Sequence, residues 1–228
     1  MRLAFLGTGA AFSLERQNGA VVVDGRILLD GGAPLLPAMQ RVGVDPGAIE
    51  VAFITHFHGD HLLGLPPFML HRVFVGQVAP LTIVGPEGVE DRLETLFAFA
   101  WGADWPEFRQ RSGHRYLVAQ ESGEAAGVRY ETVKLDHGKM GCTGYRLHLD
   151  RLLVYAGDTQ MTPPLERLVT GAEVVITEAT GPGEAYSHTS WEEAEALAKR
   201  HPEARFFFNH VYAGTLPGAA ADFEIVDV

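Results

Sequence analysis

The chain is poor in the features that mark secreted and membrane proteins. It has a single cysteine, Cys142, among 228 residues, so no disulfide can form within the chain. No apolar run approaches the ~20 residues that a membrane helix needs, and the apolar start is too short for a signal peptide. We therefore expect a protein of the reducing cytoplasm that has no membrane partner.

Positive charge is also scarce. Lys and Arg number 18 against 29 Asp and Glu, which gives a net charge of −11 with neutral histidines. This balance disfavours a broad electrostatic contact with nucleic acid, although bound metal ions or a local basic patch would add positive charge. The length suits one domain that spans residues 1–228.

Short apolar runs alternate with amphipathic stretches along the chain. The runs are β-branched or aromatic and are bounded by Gly, Asp or Pro, which predicts strands at 3–6, 20–23, 27–29, 51–54, 81–84, 128–133, 145–149, 152–156, 174–177 and 205–208. Helices are predicted at 34–41, 61–70, 89–99, 164–169 and 191–200. The last helix has a defined start, because Ser190 and Glu193 form a capping-box pattern. The alternation favours a layered α/β fold.

The strongest functional signal is a His-x-His-x-Asp-His motif at residues 56–61, directly after an apolar strand. Imidazole and carboxylate groups suit Zn²⁺, Mn²⁺ or Fe²⁺. Four such groups within six residues cannot easily bind one ion, so we expect His56 and His58 to face one metal. Asp60 and His61 would then face a second metal, with Gly59 providing a sharp turn between the pairs. The alternative is a solvated histidine loop, which the apolar residues on both sides disfavour.

Further ligand candidates stand at the ends of later predicted strands. Singly, each is more often a structural residue, but loops at one edge of a rigid sheet can bring distant residues together. A carboxylate such as Asp158 can bridge two cations while neutral imidazoles complete each shell. Together with the motif, these residues predict a two-metal site formed by His56, His58, Asp60, His61, His137, Asp158 and His210.

In this order the motifs resemble those of the metallo-β-lactamase superfamily, and more narrowly those of its ribonuclease Z and phosphodiesterase branch. Residues 6–11 and 28–32 are similar to that branch's opening loop and second motif. Residues 177–180 and 188–189 resemble its glutamate and histidine loops. The resemblance covers nearly the whole chain and implies an α/β (α+β) fold, a four-layer αββα sandwich with the metals at one edge.

The resemblance also implies how the ligands are divided between two divalent metal ions, of which zinc is preferred and Mn or Fe are alternatives. The first ion would take His56, His58 and His137, the second would take Asp60, His61 and His210, and Asp158 would bridge them.

Roles in catalysis follow from the same resemblance. A hydroxide held between the metals would attack phosphorus. His188, oriented by Glu178, would donate a proton to the leaving oxygen, so the predicted catalytic residues are Asp60, Glu178 and His188. Asp30 would support a metal ligand from behind. The alternative for His188 is a helix-start residue packed beside Trp191.

Two departures from the branch bear on the substrate. Bacterial ribonuclease Z enzymes carry a long tRNA-clamping arm between the residues that correspond to His137 and Asp158, and this interval is short here. Thr177 stands where the family usually has a histidine. We therefore expect a phosphodiesterase of small or nucleotide-like diesters, and nucleic acid is not favoured. The alternatives are a tRNA 3′-processing endonuclease and a thioester, lactone or β-lactam hydrolase. A non-catalytic scaffold is disfavoured, because all the expected ligands are kept.

The remaining polar and aromatic candidates have weaker context. We interpret His71, His114, His148 and His201 as surface residues and Cys142 as a small buried residue without a metal or redox role. The aromatic segment is interpreted either as ordinary core or as a lid or homodimer face, and it contains Phe97, Phe99, Trp101, Trp105 and Phe108.

Overall fold

The computed structural model describes residues 1–75, 78–102, 105–183 and 186–228. Its strands are β1 (Arg2–Gly7), β2 (Ala20–Val23), β3 (Ile27–Leu29), β4 (Val51–Phe53), β5 (Leu81–Gly85), β6 (His114–Val118), β7 (Ser122–Ala125), β8 (Val128–Leu135), β9 (Cys142–His148), β10 (Leu152–Tyr155), β11 (Val174–Glu178), β12 (Arg205–Asn209) and β13 (Ile225–Asp227). Its helices are α1 (Leu35–Val42), α2 (Gly59–Leu62), α3 (Leu65–Phe74), α4 (Val89–Trp101), α5 (Trp105–Ser112), α6 (Pro163–Val169) and α7 (Trp191–Arg200). A short 3-10 turn spans Pro46–Ala48.

Two mixed sheets face each other. The first has the order β13-β1-β2-β3-β4-β5-β6, and the second has the order β12-β11-β10-β9-β8-β7. One core cluster lies between them, since it joins Phe5 and Phe53 of the first sheet to Tyr145 and Ile176 of the second. Because each strand presents alternate side chains to opposite faces, the outer faces need helices to cover them.

The outer faces are covered by separate groups of helices. α1, α3 and α4 pack Leu35, Leu65 and Leu93 against the first sheet in one core cluster. α6 and α7 pack Leu165 and Leu197 against the second sheet in another. The order of layers is therefore helix, sheet, sheet, helix, and the predicted αββα sandwich is confirmed.

The helix predicted at 61–70 is broken in the structure. α2 ends at Leu62, a turn follows, and α3 begins at Leu65. Pro66 and Pro67 lack the N–H groups that a continuous helix would need at this point. Gly64 also packs tightly, because a Cβ there would lie 2.6 Å from the carbonyl oxygen of Gly32. These constraints make the chain turn between the two helices.

Two of the four histidines interpreted as surface residues are buried, so that interpretation is wrong for them. His114 is 6% exposed at the start of β6, where Ser112 Oγ contacts its Nδ1. His201 is 9% exposed at the end of α7, where its Nε2 lies 3.1 Å from an oxygen of Glu166. Both rings are buried because they lie at the ends of secondary-structure elements that pack against other parts of the chain. The residue type alone does not show this packing. His71 and His148 are half-buried.

The aromatic segment divides between core and surface. Phe97 is fully buried, whereas Phe99 and Trp101 are exposed on α4. The side chains of Trp105 and Phe108 lie outside the described residues. Over the described ranges, no helix combines the length and apolar character needed to cross a membrane.

Candidate active site

The predicted ligands converge at one edge of the sandwich because of strand direction. β8 and β10 are each antiparallel to β9, so they run the same way, and β11 and β12 are parallel to β10. Their carboxyl ends therefore meet at one edge of the second sheet, where His137, Asp158 and His210 follow β8, β10 and β12. The segment after β4 of the first sheet brings the residues of the His-x-His-x-Asp-His motif to the same edge.

Three imidazoles and one carboxylate form the first donor group. His58 Nδ1 lies 3.0 Å from His56 Nε2 and 3.1 Å from His137 Nε2. Asp158 Oδ2 lies 3.7 Å from His56 Nε2 and 3.8 Å from His137 Nε2. His58 thus faces this group with Nδ1, whereas its two neighbours face it with Nε2.

The second donor group shares Asp158 with the first. Asp158 Oδ2 lies 3.3 Å from His61 Nε2 and 3.1 Å from His210 Nε2. Asp60 Oδ2 lies 3.2 Å from the same two nitrogens. All these residues except His58 are buried. The structure therefore places Asp158 between the two groups, as a bridging ligand would be.

Partners outside the two groups hold the rings in place. His61 Nδ1 lies 2.8 Å from Asp30, and His137 Nδ1 donates to the Ser187 carbonyl at 2.8 Å. His56 Nδ1 lies 3.0 Å from the hydroxyl oxygen of Thr55. A hydrogen bond at Nδ1 fixes the tautomer and leaves Nε2 free to act as a ligand.

Asp30 links both donor groups from behind. Its fully buried carboxylate accepts bonds from Thr55 N at 2.8 Å, Thr55 Oγ1 at 2.9 Å and Tyr155 Oη at 2.8 Å. Thr55 contacts His56 of the first group, and Asp30 itself contacts His61 of the second. Its backbone adopts a φ of 55°, which non-glycine residues rarely do. The expectation that Asp30 supports a ligand is in agreement with these contacts.

The chemistry of the two groups fits a pair of divalent cations. His61 Nε2 and Asp158 Oδ1 are buried and have no hydrogen-bond partner, although buried polar atoms are normally paired. In the first group, His56 and His137 aim unprotonated nitrogens at His58 Nδ1, which can donate to only one of them. Each group offers its ligand atoms within 4.8 Å of one another, so each could hold one ion.

Electrostatics favour ionised carboxylates at the site. Burial opposes ionisation of Asp158, but the neighbouring His210 and His61 hold its pKa well below the usual range. Burial likewise opposes ionisation of Asp60, and hydrogen bonds from His210 and His61 lower its pKa. In contrast, burial lowers the pKa of His56, which keeps that ring neutral. Burial opposes protonation of His61 and His210, but the charge of Asp158 raises the pKa of both rings. A cation that binds at the second group would therefore displace these protons, because metals bind the neutral imidazole and the charged carboxylate.

Glu178 and His188 form a pair beside the second group. His188 Nδ1 lies 3.0 Å from Glu178 Oε2, and the Glu178 carboxylate also accepts bonds from Thr159 N and Thr180 Oγ1. Burial lowers the pKa of His188, but the hydrogen bond and charge of Glu178 outweigh it and raise the pKa above its usual value. The His188 ring stacks on His210 with centroids 5.1 Å apart. Glu178 therefore holds His188 through Nδ1, which is the contact that an orienting role requires.

Two glycines in the ligand segments have different roles. Gly157 has a φ of +67°, and a Cβ there would lie 2.7 Å from Thr55 Cβ, so only glycine fits before Asp158. Gly59 does not adopt a positive φ and instead begins α2. The prediction that Gly59 provides a sharp turn is therefore wrong, because the start of a helix separates the two ligand pairs.

Some residues at the site were not singled out in the sequence. Thr55 and Tyr155 hold Asp30, and Thr180 holds Glu178. Their positions at strand ends, next to predicted ligands, were the available signal. The interpretation of Cys142 as a small buried residue is confirmed, because Cys142 is 5% exposed.

Known proteins share this fold and sequence. Ribonuclease Z from Shouchella clausii (strain KSM-K16) is 30% identical over 272 aligned positions, which cover 92% of this chain and 86% of the relative. The crystal structure of the short form of human tRNase Z superposes on this chain with a TM-score of 0.79 and 23% sequence identity. The superposition covers 100% of this chain and 99% of the human chain. The crystal structure of a diphosphatase from the PhnP family superposes with a TM-score of 0.76 and 18% sequence identity, and it covers 100% of this chain and 97% of the diphosphatase. These likenesses and the site define a metal-dependent hydrolase of the metallo-β-lactamase superfamily, in its ribonuclease Z and phosphodiesterase branch.

A family model narrows the assignment. The model described as anti-Pycsar protein Apyc1 matches residues 1–212 of this chain. The match includes all seven predicted metal ligands and both members of the Glu178–His188 pair. The chain therefore belongs to the anti-Pycsar Apyc1 family.

Proposed function

We propose that this protein is a phosphodiesterase of small or nucleotide-like diesters that uses two zinc ions. The ions would be held by the two donor groups, His56, His58, His137 and Asp158 on one side and Asp60, His61, His210 and Asp158 on the other. Bound at these positions, they would activate water as a nucleophile and neutralise charge that develops on the phosphoryl oxygens. The observation that carries the proposal is the Glu178–His188 pair beside a two-group metal site.

His188 supplies a proton in this proposal. Its Nδ1 is engaged by Glu178, so Nε2 is the ring nitrogen available to the leaving oxygen. The raised pKa of His188 keeps the ring protonated further into the neutral range. A positioned acid of this kind contributes roughly 10²–10⁴-fold to a rate, and most where the leaving group is a strongly basic alkoxide.

The cavity beside the donor groups is the expected substrate site. Asp60, which also offers a ligand atom, lines this cavity together with Asp158 and His188. The cavity has a volume of about 650 Å³, which is within the usual range for small-molecule sites. A cavity of this volume accommodates a small diester.

A second candidate function is 3′-end cleavage of tRNA precursors, which the 30% identity to a ribonuclease Z supports. The interval between His137 and Asp158 is filled by β9 and β10, which are ordinary strands of the second sheet. The alignment to this ribonuclease Z is also longer than the 228-residue chain, so the relative carries segments that this chain lacks. With a net charge of −11, these observations favour the smaller substrate.

The test combines metal analysis with four parallel assays of the zinc-loaded protein, on bis(p-nitrophenyl) phosphate, precursor tRNA, a thioester and a cephalosporin. We expect about two zinc ions per chain and hydrolysis of the diester alone. The variant Asp158→Ala should lose zinc and activity together. Cleavage of only the thioester or the cephalosporin would overturn the proposal, and preferential cleavage of precursor tRNA would establish the second candidate.

The role of His188 has its own test, because p-nitrophenolate leaves readily without a proton whereas the alkoxide of a dinucleotide does not. His188→Ala should reduce kcat on the dinucleotide by about 100-fold or more and reduce it far less on bis(p-nitrophenyl) phosphate. Glu178→Gln should show the same pattern more weakly. His148→Ala is the matched control, since His148 bonds Glu131 on the second sheet and belongs to neither donor group. An equal loss on both substrates would contradict a proton-donating role.

A further inference from the structure

Two exposed aromatic side chains line the cavity that contains the donor groups. Phe12 is 74% exposed and Tyr212 is 46% exposed. Both face the same cavity as Asp158 and His188. Large aromatic side chains on a surface gain little for folding, so a pair that meets at the wall of a functional cavity points to ligand contact.

The two rings form a corner. Their centroids lie 5.3 Å apart and their planes meet at 65°, which is an edge-to-face contact. A planar group that stacks on the face of one ring would therefore lie next to the other ring. Such a corner matches the shape of a flat aromatic group better than that of a sugar or a flexible chain.

Backbone hydrogen bonds hold the two loops together before any ligand arrives. Val211 N donates to the Thr8 carbonyl at 2.9 Å, and Ala10 N donates to the Val211 carbonyl at 3.2 Å. Tyr212 N donates to the Thr180 carbonyl at 2.8 Å, which ties this loop to the segment that follows Glu178. A pre-formed wall of this kind binds its ligand with little loss of conformational entropy.

The rest of the cavity wall indicates what kind of group would bind there. Beyond the donor groups and the aromatic corner, the described lining is mostly small or apolar, with Ala10, Ala11 and Pro182. No lysine or arginine is among the described residues that line this cavity. The wall therefore suits a neutral planar group better than the additional phosphates of a longer nucleic acid.

We propose that Phe12 and Tyr212 form an aromatic platform that stacks a planar substituent, such as a nucleobase, of a small phosphodiester. This inference rests on the proposed phosphodiesterase function and adds the part of the substrate that is recognised. Stacking on aromatic side chains strengthens binding by roughly 5- to 150-fold per base and discriminates little between bases, because every base has a π-face. The platform is thus a general nucleoside site.

The kinetic test uses two diesters with the same leaving group, thymidine 5′-(p-nitrophenyl phosphate) and methyl p-nitrophenyl phosphate. The zinc-loaded protein should have a higher kcat/KM on the nucleoside diester. Phe12→Leu and Tyr212→Leu should each lower the ratio of kcat/KM on the nucleoside diester to kcat/KM on the methyl diester about fivefold or more. The change should come chiefly from a higher KM for the nucleoside diester. Phe12→Tyr should preserve the ratio because it keeps the ring. Phe99→Leu is the control, since Phe99 is an exposed aromatic residue on α4 outside this cavity.

A binding measurement separates the platform from the chemistry. Calorimetric titration with adenosine 5′-monophosphate should give weaker binding in Phe12→Leu, whereas titration with inorganic phosphate should give the same affinity as the unaltered protein. If no diester is hydrolysed, the phosphodiesterase proposal fails, and this titration still decides whether the aromatic residues bind a nucleoside. An unchanged kinetic ratio together with unchanged binding of the nucleotide would overturn the platform.

Discussion

At the scale of single residues, Asp30 has the widest influence on the candidate site. Its carboxylate contacts His61 directly and His56 through Thr55, so it orients ligands of both donor groups. Loss of such an outer partner typically weakens metal binding 10- to 100-fold. The residue is distant in sequence from the motif that it supports, yet it follows β3, which is the parallel neighbour of β4.

Asp30→Asn should therefore weaken zinc binding by about 10- to 100-fold, because the amide cannot accept all the bonds that the carboxylate accepts. Competition with a chromogenic chelator measures the affinity. Asp91→Asn, an exposed position on α4, is the control and should bind zinc normally. An affinity in Asp30→Asn equal to that of the control would show that Asp30 does not position the ligands.

His114 is expected to make the stability of the protein depend on pH. Burial, and then the charges of Arg109 and Arg72, lower its pKa to about 4. The unfolded chain takes up this proton near the ordinary pKa of about 6.5, so the folded state loses stability as the pH falls from 6.5 towards 4. The contribution is on the order of 2 kcal/mol by pH 5.

Urea unfolding at pH 7 and pH 5 measures this effect. His114→Gln should be less stable at pH 7 but should lose less free energy of unfolding on acidification than the unaltered protein. Phe99→Leu, an exposed position where no titratable group is removed, should keep the original pH dependence. An identical loss in His114→Gln and the unaltered protein would assign the acid sensitivity to other groups.

At the scale of helices and strands, prediction succeeded where a local signal was strong. The capping box at Ser190 predicted the start of α7 correctly, and apolar runs located ten strands to within a few residues. The strands β6, β7 and β13 and the helix α5 were not predicted. β7 was missed because its residues show no apolar alternation. It exists because a tight turn at Ala126 and Gly127, both with positive φ, pairs it with β8. β13 similarly depends on its pairing with β1, which is distant in sequence.

The capping box itself can be tested. Ser190 Oγ accepts from Glu193 N at 3.3 Å, and Glu193 Oε2 accepts from Ser190 N at 2.9 Å. Ser190→Ala should lower the free energy of unfolding by about 1 kcal/mol, because a backbone N–H in the first turn of α7 loses its hydrogen-bond acceptor. Urea unfolding measures the change. Ser190→Thr retains a hydroxyl cap and should lose much less, and equal losses in the two variants would argue against the capping role.

At the scale of the whole molecule, the candidate site joins the two sheets. The ligands that were predicted from the sequence lie together because strands of both sheets end at one edge, a relation that needs the complete topology. The division into two groups followed from the resemblance to a known family, since spacing alone could not assign the distant ligands. The aromatic platform was not predictable, because Phe12 and Tyr212 carry no motif and meet only in the folded chain.

Metal removal should therefore destabilise the entire fold. A ligand present at 1,000 times its Kd stabilises the folded state by about 4 kcal/mol, and for a chain of this size that corresponds to a Tm higher by roughly 10 °C. Thermal unfolding with excess zinc and with EDTA measures the difference. Asp158→Ala should respond much less to zinc, because it lacks the residue shared by both groups. A Tm unaffected by zinc in the unaltered protein would exclude the proposed metal site.

The spread of the ligands along the chain also orders the events of biosynthesis. The first donor group is complete once Asp158 has been made, whereas the second waits for His210, after β12. A growing chain could thus capture one ion while its final strands are still within the ribosome. The second donor group stays incomplete until His210 has followed β12 out of the ribosome, so the two groups form in a fixed order.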